Sequence, residues 1–219
     1  MTSRRPRETA MPKPADAIVR YTYAERASHW LLVISFFLAA LSGLAFFHPS
    51  LFWLTNFFGG GPWTKILHPF LGVAMALFFI ALALRVWHHN VIKEADKEWL
   101  KHAGDVMAGH EERAPPAGKY NAGQKVLFWL LALCVLGLVV TGFVFWRPYF
   151  AGAFPIWLVR LATLLHAIAA TGLILLIIGH IYMSLWTKGS IRAMTQGWVT
   201  RSWARSNHPA WYREVTKER

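Results

Sequence analysis

The stretch Leu161–Trp186, LATLLHAIAATGLILLIIGHIYMSLW, runs for 26 residues without an Asp, Glu, Lys or Arg, yet it contains two histidines. A run this long and apolar crosses about 30 Å of hydrocarbon as a helix, and only a helix satisfies its own backbone there. His166 and His180 are fourteen residues apart. At 100° per residue they leave the helix within about 40° of each other, and at 1.5 Å rise they stand about 21 Å apart along its axis. One helix thus presents two imidazoles to the same side, one toward each face of the membrane.

Three further uncharged runs accompany it: Trp30–Phe47, Ile66–Leu84 and Val126–Trp146, of 18, 19 and 21 residues. The expected architecture is an all-α membrane protein: a single four-transmembrane-helix bundle over residues 1–219, with spans near 30–47, 66–87, 126–146 and 161–186. Buried helices of a soluble domain rarely stay uncharged so long. The composition agrees, being 55% hydrophobic with 12 Trp, and Trp30, Trp53, Trp63, Trp87, Trp146, Trp157 and Trp186 fall at span ends as an interfacial belt requires.

Charge orients the bundle. Twenty of the 23 Lys and Arg fall before span one, between spans two and three, at the end of span two or after span four, whereas only Lys65, Arg147 and Arg160 fall on the other side. The positive-inside rule then puts both termini and the 88–125 loop in the cytoplasm, on one side of a multi-pass membrane protein. The net charge of +12 is read as topology and as affinity for anionic lipid head groups, not as nucleic-acid binding. Residues 1–20 read as a flexible cytoplasmic arm without a cleavable signal. The apolar segment His48–Lys65 reads as a loop lying along the outer interface or against a partner, with its turn at Gly59–Pro62. The single Cys134 excludes an internal disulfide and a covalently attached c-type haem.

A histidine at membrane depth needs a partner and marks function. Neutral imidazole suits iron, and haem b is held by one or two of them without covalent attachment. Depth pairs His29 with His180 near the cytoplasmic face, and His68 with His166 near the opposite face, giving two bis-histidine sites. Pro69 follows His68 and reads as a first-turn proline. Gly43, fourteen residues beyond His29, would leave room for a porphyrin, or serve ordinary close helix packing. His48 is the competing ligand at the outer rim. His88 and His89 read as rim residues or proton carriers, and His102, His110 and His208 as solvated. Asn121, Gly123 and Gln124 open span three at the cytoplasmic interface, and Asn121 also reads as a helix cap.

The motifs RASHW (26–30), ALSGLAFF (40–47), ILHPFLG (66–72), HHN (88–90), GKYNAGQK (118–125), TGFVFWRPYF (141–150), LLHAIAA (164–170), GHIYMSLWTKGSI (179–191) and HPAWYRE (208–214) resemble the cytochrome b (gamma) subunit of membrane-bound respiratory formate dehydrogenase. They cover most of the chain outside the N-terminal arm and part of the middle loop. The resemblance implies two b-type haems with axial ligands at His29, His68, His166 and His180. It implies an iron–sulfur (beta) subunit and a molybdenum or tungsten catalytic (alpha) subunit on the periplasmic side. It also implies a pocket for menaquinone or ubiquinone beside the cytoplasmic haem at Asn121, Gly123 and Gln124, to which His180 could offer its second nitrogen. The expected role is electron transfer from the iron–sulfur partner to quinone with proton uptake from the cytoplasm, and no formate-oxidising site in this chain. The alternatives are the cytochrome b subunit of a nickel–iron hydrogenase and a haem-free membrane anchor.

Overall fold

A computed structural model describes residues 15–110, 113–147 and 149–217. Most of the expected arm (1–14) and Pro148 lie outside them. The four spans are helices α1 (Tyr23–Leu44), α2 (Gly61–Val86), α5 (Ala122–Phe145) and α6 (Ile156–Trp186). Each is long and apolar enough to cross a membrane. Their outward faces carry large apolar side chains open to the surroundings: Leu77, Leu133, Ile168 and Leu175 are each 59–66% exposed. Such a surface belongs in lipid. The chain is a multi-pass membrane protein.

The helices begin well before the uncharged runs, because a charged residue in a first turn can reach the interface while its backbone is already helical. The N-cap Thr22 accepts from the Glu25 amide at 3.2 Å, and Glu25 Oε2 accepts from the Thr22 amide at 2.6 Å. His29 therefore sits two turns inside α1 instead of opening it. His68 likewise lies two turns inside α2, and Pro69 is an interior residue, not the first-turn proline read from the sequence. Pro69 has no N–H for the Lys65 carbonyl, a loss membrane helices tolerate.

The spans form two hairpins. The α1–α2 hairpin turns through a 3-10 helix (Pro49–Phe58) that leaves Phe52, Trp53 and Phe57 exposed. Gly59 closes it with a left-handed φ of 83°. The α5–α6 hairpin packs closely through small residues, with Gly137 against Ala169 and Gly172 against Cys134. Contact between the hairpins runs mainly through α2 and α5, while α6 meets α1 and α2 little. The mid-bundle core is Ala39, Met75, Ala76, Val135 and Leu173.

The hydrophilic segments are more ordered than their composition indicates. Between α2 and α5 lie α3 (Glu94–Lys101) and α4 (Ala103–Met107). After α6 come α7 (Ser190–Gln196), β2 (Trp198–Thr200), α8 (Arg201–Asn207) and α9 (Pro209–Thr216). Strand β1 (Ala17–Val19) pairs antiparallel with β2, Ala17 opposite Thr200, so both ends of the chain meet at one end of the bundle, hereafter the terminal end. Arg20 joins them. Its guanidinium donates to Lys119 O at 2.7 Å, meets His208 Nε2 at 3.0 Å and lies over the Trp203 and Trp211 rings. Gly197, at φ 88°, accepts from the Arg20 and Tyr21 amides, and a Cβ there would stand 2.9 Å from Tyr21 O.

Candidate metal centres

Both depth-matched pairs of imidazoles meet. At the far end of the bundle His68 of α2 faces His166 of α6 with ring centres 6.2 Å apart and planes at 73°. At the terminal end His29 of α1 faces His180 of α6, centres 6.4 Å apart and planes at 57°. The two α6 histidines are separated by fourteen residues of unbroken helix, about 21 Å. Leu173 and Met75 fill the level between them. Each lies seven residues from a histidine, close to two full turns, and so on the same face.

The far pair is held from behind. Ser42 Oγ lies 2.9 Å from His68 Nδ1, and Thr141 Oγ1 lies 2.9 Å from His166 Nδ1. The residue after each hydroxyl is glycine. A Cβ on Gly43 would stand 3.0 Å from His68 Cε1, and one on Gly142 would stand 3.4 Å from His166 Cε1. The room at Gly43 is thus occupied first by the His68 ring. Phe145 adds an edge contact to His166 at 5.0 Å. The terminal-end pair lacks this arrangement: His29 Nδ1 is buried without a hydrogen-bond partner.

The spacing can be tested against a metal. With a nitrogen–metal bond of about 2 Å and a ring centre about 1.1 Å behind the nitrogen, two imidazoles on opposite sides of one ion have centres about 6.2 Å apart. Both pairs match. Among the described residues no group of three or more His, Cys, Asp or Glu could hold a metal ion by itself. Two imidazoles per site suit an iron that brings its other nitrogens in a macrocycle.

The profile of a family described as prokaryotic cytochrome b561 matches residues 20–197, which include all four histidines. The chain belongs to that family. A cytochrome b561 is a b-type haem protein, in keeping with the paired imidazoles. Its relatives include the cytochrome b556(fdo) subunit of formate dehydrogenase from Escherichia coli K12, 47% identical over 94% of this chain and 96% of the relative. The nitrate-inducible cytochrome b556(Fdn) subunit from the same strain is 47% identical over 91% of this chain and 92% of its own. The formate dehydrogenase cytochrome b556 subunit of Haemophilus influenzae is 46% identical over 90% and 83%. The resemblance carried by the motifs is borne out by these relatives.

Five of the six remaining histidines of this cytochrome have other partners, and His110 is exposed. His48 caps the 3-10 helix, its Nδ1 accepting from the Ser50 amide at 3.2 Å, so the competing ligand is engaged away from His166. The rings of His88 and His89 lie 4.0 Å apart, and His89 approaches Tyr120 at 6.2 Å. His102 lies 3.3 Å from the Asp105 carboxylate. His208, expected in solvent, is instead 3% exposed. Its Nδ1–H donates to Gly118 O at 2.7 Å and its Nε2 accepts from Arg20. Burial, then the neighbouring guanidinium, push its pKa down to about 3.

Asn121 and Gln124 form a capping box at the start of α5: Asn121 Oδ1 accepts from the Gln124 amide at 2.9 Å and Gln124 Oε1 from the Asn121 amide at 3.0 Å. Both side-chain oxygens are committed, and among the described residues neither NH2 group has a hydrogen-bond partner. Asn121 lines a cleft of about 280 Å³ with Asp96, Trp99, Pro116, Lys125 and Glu214. Gly123 faces the Trp99 ring. Among the described residues no hydrogen bond joins this turn to His180. The residues that sequence reasoning missed are Ser42, Thr141 and Gly142. Their signal was the pair of hydroxyl–glycine dipeptides, Ser42–Gly43 and Thr141–Gly142, in otherwise aliphatic spans.

Proposed function

We propose that the chain is the dihaem cytochrome b subunit of a respiratory formate dehydrogenase, carrying electrons across the bacterial inner membrane to quinone. The observation that carries this reading is the pair of facing imidazole sites, with centres 6.2 and 6.4 Å apart, joined by one helix. His68 and His166 would hold an outer haem b, and His29 and His180 an inner one, with Gly43 also admitting a porphyrin edge. Haem b, when bound, supplies the one-electron redox centre; the chain supplies ligation, spacing and dry surroundings.

The charge asymmetry supports cytoplasmic termini. Electrons then enter from an iron–sulfur subunit on the periplasmic side, itself fed by a molybdenum or tungsten subunit, as the names of the relatives make natural. Quinone is placed at the first turn of α5, where the free amide groups of Asn121 and Gln124 would donate to its carbonyls and Gly123 would let the ring approach. His180 would ligate through one nitrogen and offer the other. Protons for the reduced quinone come from the cytoplasm through this hydrophilic end. The chain is the quinone-reducing part of the complex, and formate oxidation belongs to its partner.

A reduced-minus-oxidised spectrum of the purified complex tests the reading. Two haems b per chain, both reduced by formate and reoxidised by added quinone, are expected. Reduction by hydrogen and not by formate would transfer the chain to a nickel–iron hydrogenase, and a complex without a Soret band would make it a plain anchor.

A further inference from the structure

The far pair of histidines is backed by the same two-residue device on two different helices. Ser42–Gly43 on α1 stands behind His68 of the adjacent α2; Thr141–Gly142 on α5 stands behind His166 of the adjacent α6. In each case the glycine lets the imidazole lie against the neighbouring backbone, and the hydroxyl meets Nδ1.

The direction of that hydrogen bond follows from counting protons. A hydroxyl has one. Ser42 Oγ stands 2.8 Å from Leu38 O and 3.0 Å from Ala39 O; Thr141 Oγ1 stands 2.6 Å from Gly137 O. Carbonyl oxygens only accept, so a hydroxyl proton given to its own helix leaves the oxygen to accept from Nδ1–H. In that arrangement each far-end imidazole carries its proton on Nδ1 and keeps its Nε2 lone pair free. At the terminal end, His29 Nδ1 is buried with no acceptor.

We propose that Ser42 and Thr141 are positioning residues of the outer haem site, fixing the tautomer and ring orientation of His68 and His166 and making both stronger electron donors to the metal. Among the described residues the inner site has no such support, so the device distinguishes the two. An accepted N–H makes an imidazole more basic and stabilises oxidised iron, and removing such partners typically weakens metal binding by about 10–100-fold. The proposal rests on the dihaem reading above.

The test uses the assembled membrane complex with Ser42→Ala, Thr141→Val and the conservative Ser42→Thr and Thr141→Ser. Potentiometric titration and low-temperature EPR of the low-spin ferric signals report each haem separately. In Ser42→Ala and Thr141→Val the outer haem should titrate at a higher potential, show altered g values and be lost more readily to apo-haem acceptors. The inner haem should be unmoved, and Thr and Ser should restore the outer signal. Outer-haem potential and g values unchanged in both variants, or both haems shifting equally, would overturn the proposal while leaving two haems in place. A parent complex with fewer than two haems per chain would remove the underlying reading instead.

Discussion

Lys125 Nζ lies 2.7 Å from Asp96 Oδ2, with the two side chains only 9% and 12% exposed, and it also donates to Val91 O at 3.2 Å. This ion pair ties α3, in the segment after span two, to the first turn of α5, where Asn121 and Gln124 stand. Trp129 adds a second tie by donating to Asn90 O at 3.0 Å. Removing one member of such a pair leaves an uncompensated buried charge, at a cost of about 3–5 kcal/mol. Asp96→Ala is expected to lower the thermal unfolding midpoint clearly. The double change Asp96→Ala with Lys125→Met should recover part of that loss, a coupling measurable in a double-mutant cycle.

Each proposed metal site would draw one ligand from α6 and one from another helix. His166→Ala should therefore empty the outer site and spare the inner one, and His29→Ala the reverse. Haem per chain should fall from two to one in each, by pyridine haemochrome analysis. Equal loss from both sites in a membrane-inserted, folded variant would contradict separate sites.

Strands β1 and β2, near the two ends of the chain, pair at one end of the bundle, and the proposed topology has that end in the cytoplasm. A reporter active only in the periplasm, fused after Arg219, should remain silent; one placed in the 3-10 segment near Asn56 should be active.

His208 is held neutral, its pKa lowered from 6.5 to about 3. The unfolded chain takes up this proton below about pH 6.5, whereas the folded one does so only near pH 3. The stability of the terminal assembly is thus full above about pH 6.5 and is lost as pH falls toward 3, by about 1.4 kcal/mol per pH unit inside that window. The fluorescence of Trp203 and Trp211 should report acid release of the C-terminal helices, and His208→Gln should be less stable near pH 7 and flatter with pH.

The amide donors at the proposed quinone turn can be removed without removing the cap. Asn121→Asp and Gln124→Glu keep the oxygens that accept from the backbone, and Gln124→Leu keeps neither group. All three should slow haem reoxidation by added quinone while reduction by formate persists. Normal reoxidation in all of them would move the pocket elsewhere, with His88 and His89 the next place to probe.

The spans and the pairing of histidines were legible because hydrophobic runs and helix periodicity are local, and two of the four histidines share one helix. The terminal assembly was not. Ala17 pairs with Thr200 and Arg20 with His208 across the whole length of the chain, and no nearby pattern announces such contacts. His208 reads as a solvated side chain because its burial depends on Arg20, Trp203 and Gly118, none of them part of its own helix. Pro69 was misplaced because the start of α2 was set by charge, whereas the helix begins at Gly61. Ser42 and Thr141 stand out only by the glycine that follows each, since a hydroxyl in an apolar helix usually bonds only its own backbone.

The unbroken course of α6 makes the gap between the two sites a matter of counting. One residue inserted between His166 and His180 would swing one imidazole by about 100° and lift it out of register with its partner. Seven inserted residues would nearly restore the bearing, yet lengthen the gap by about 10 Å, far enough to starve any tunnelling current between the sites. Drift in length can accumulate in the hydrophilic segments of this chain, but between these two histidines the permitted change is close to none.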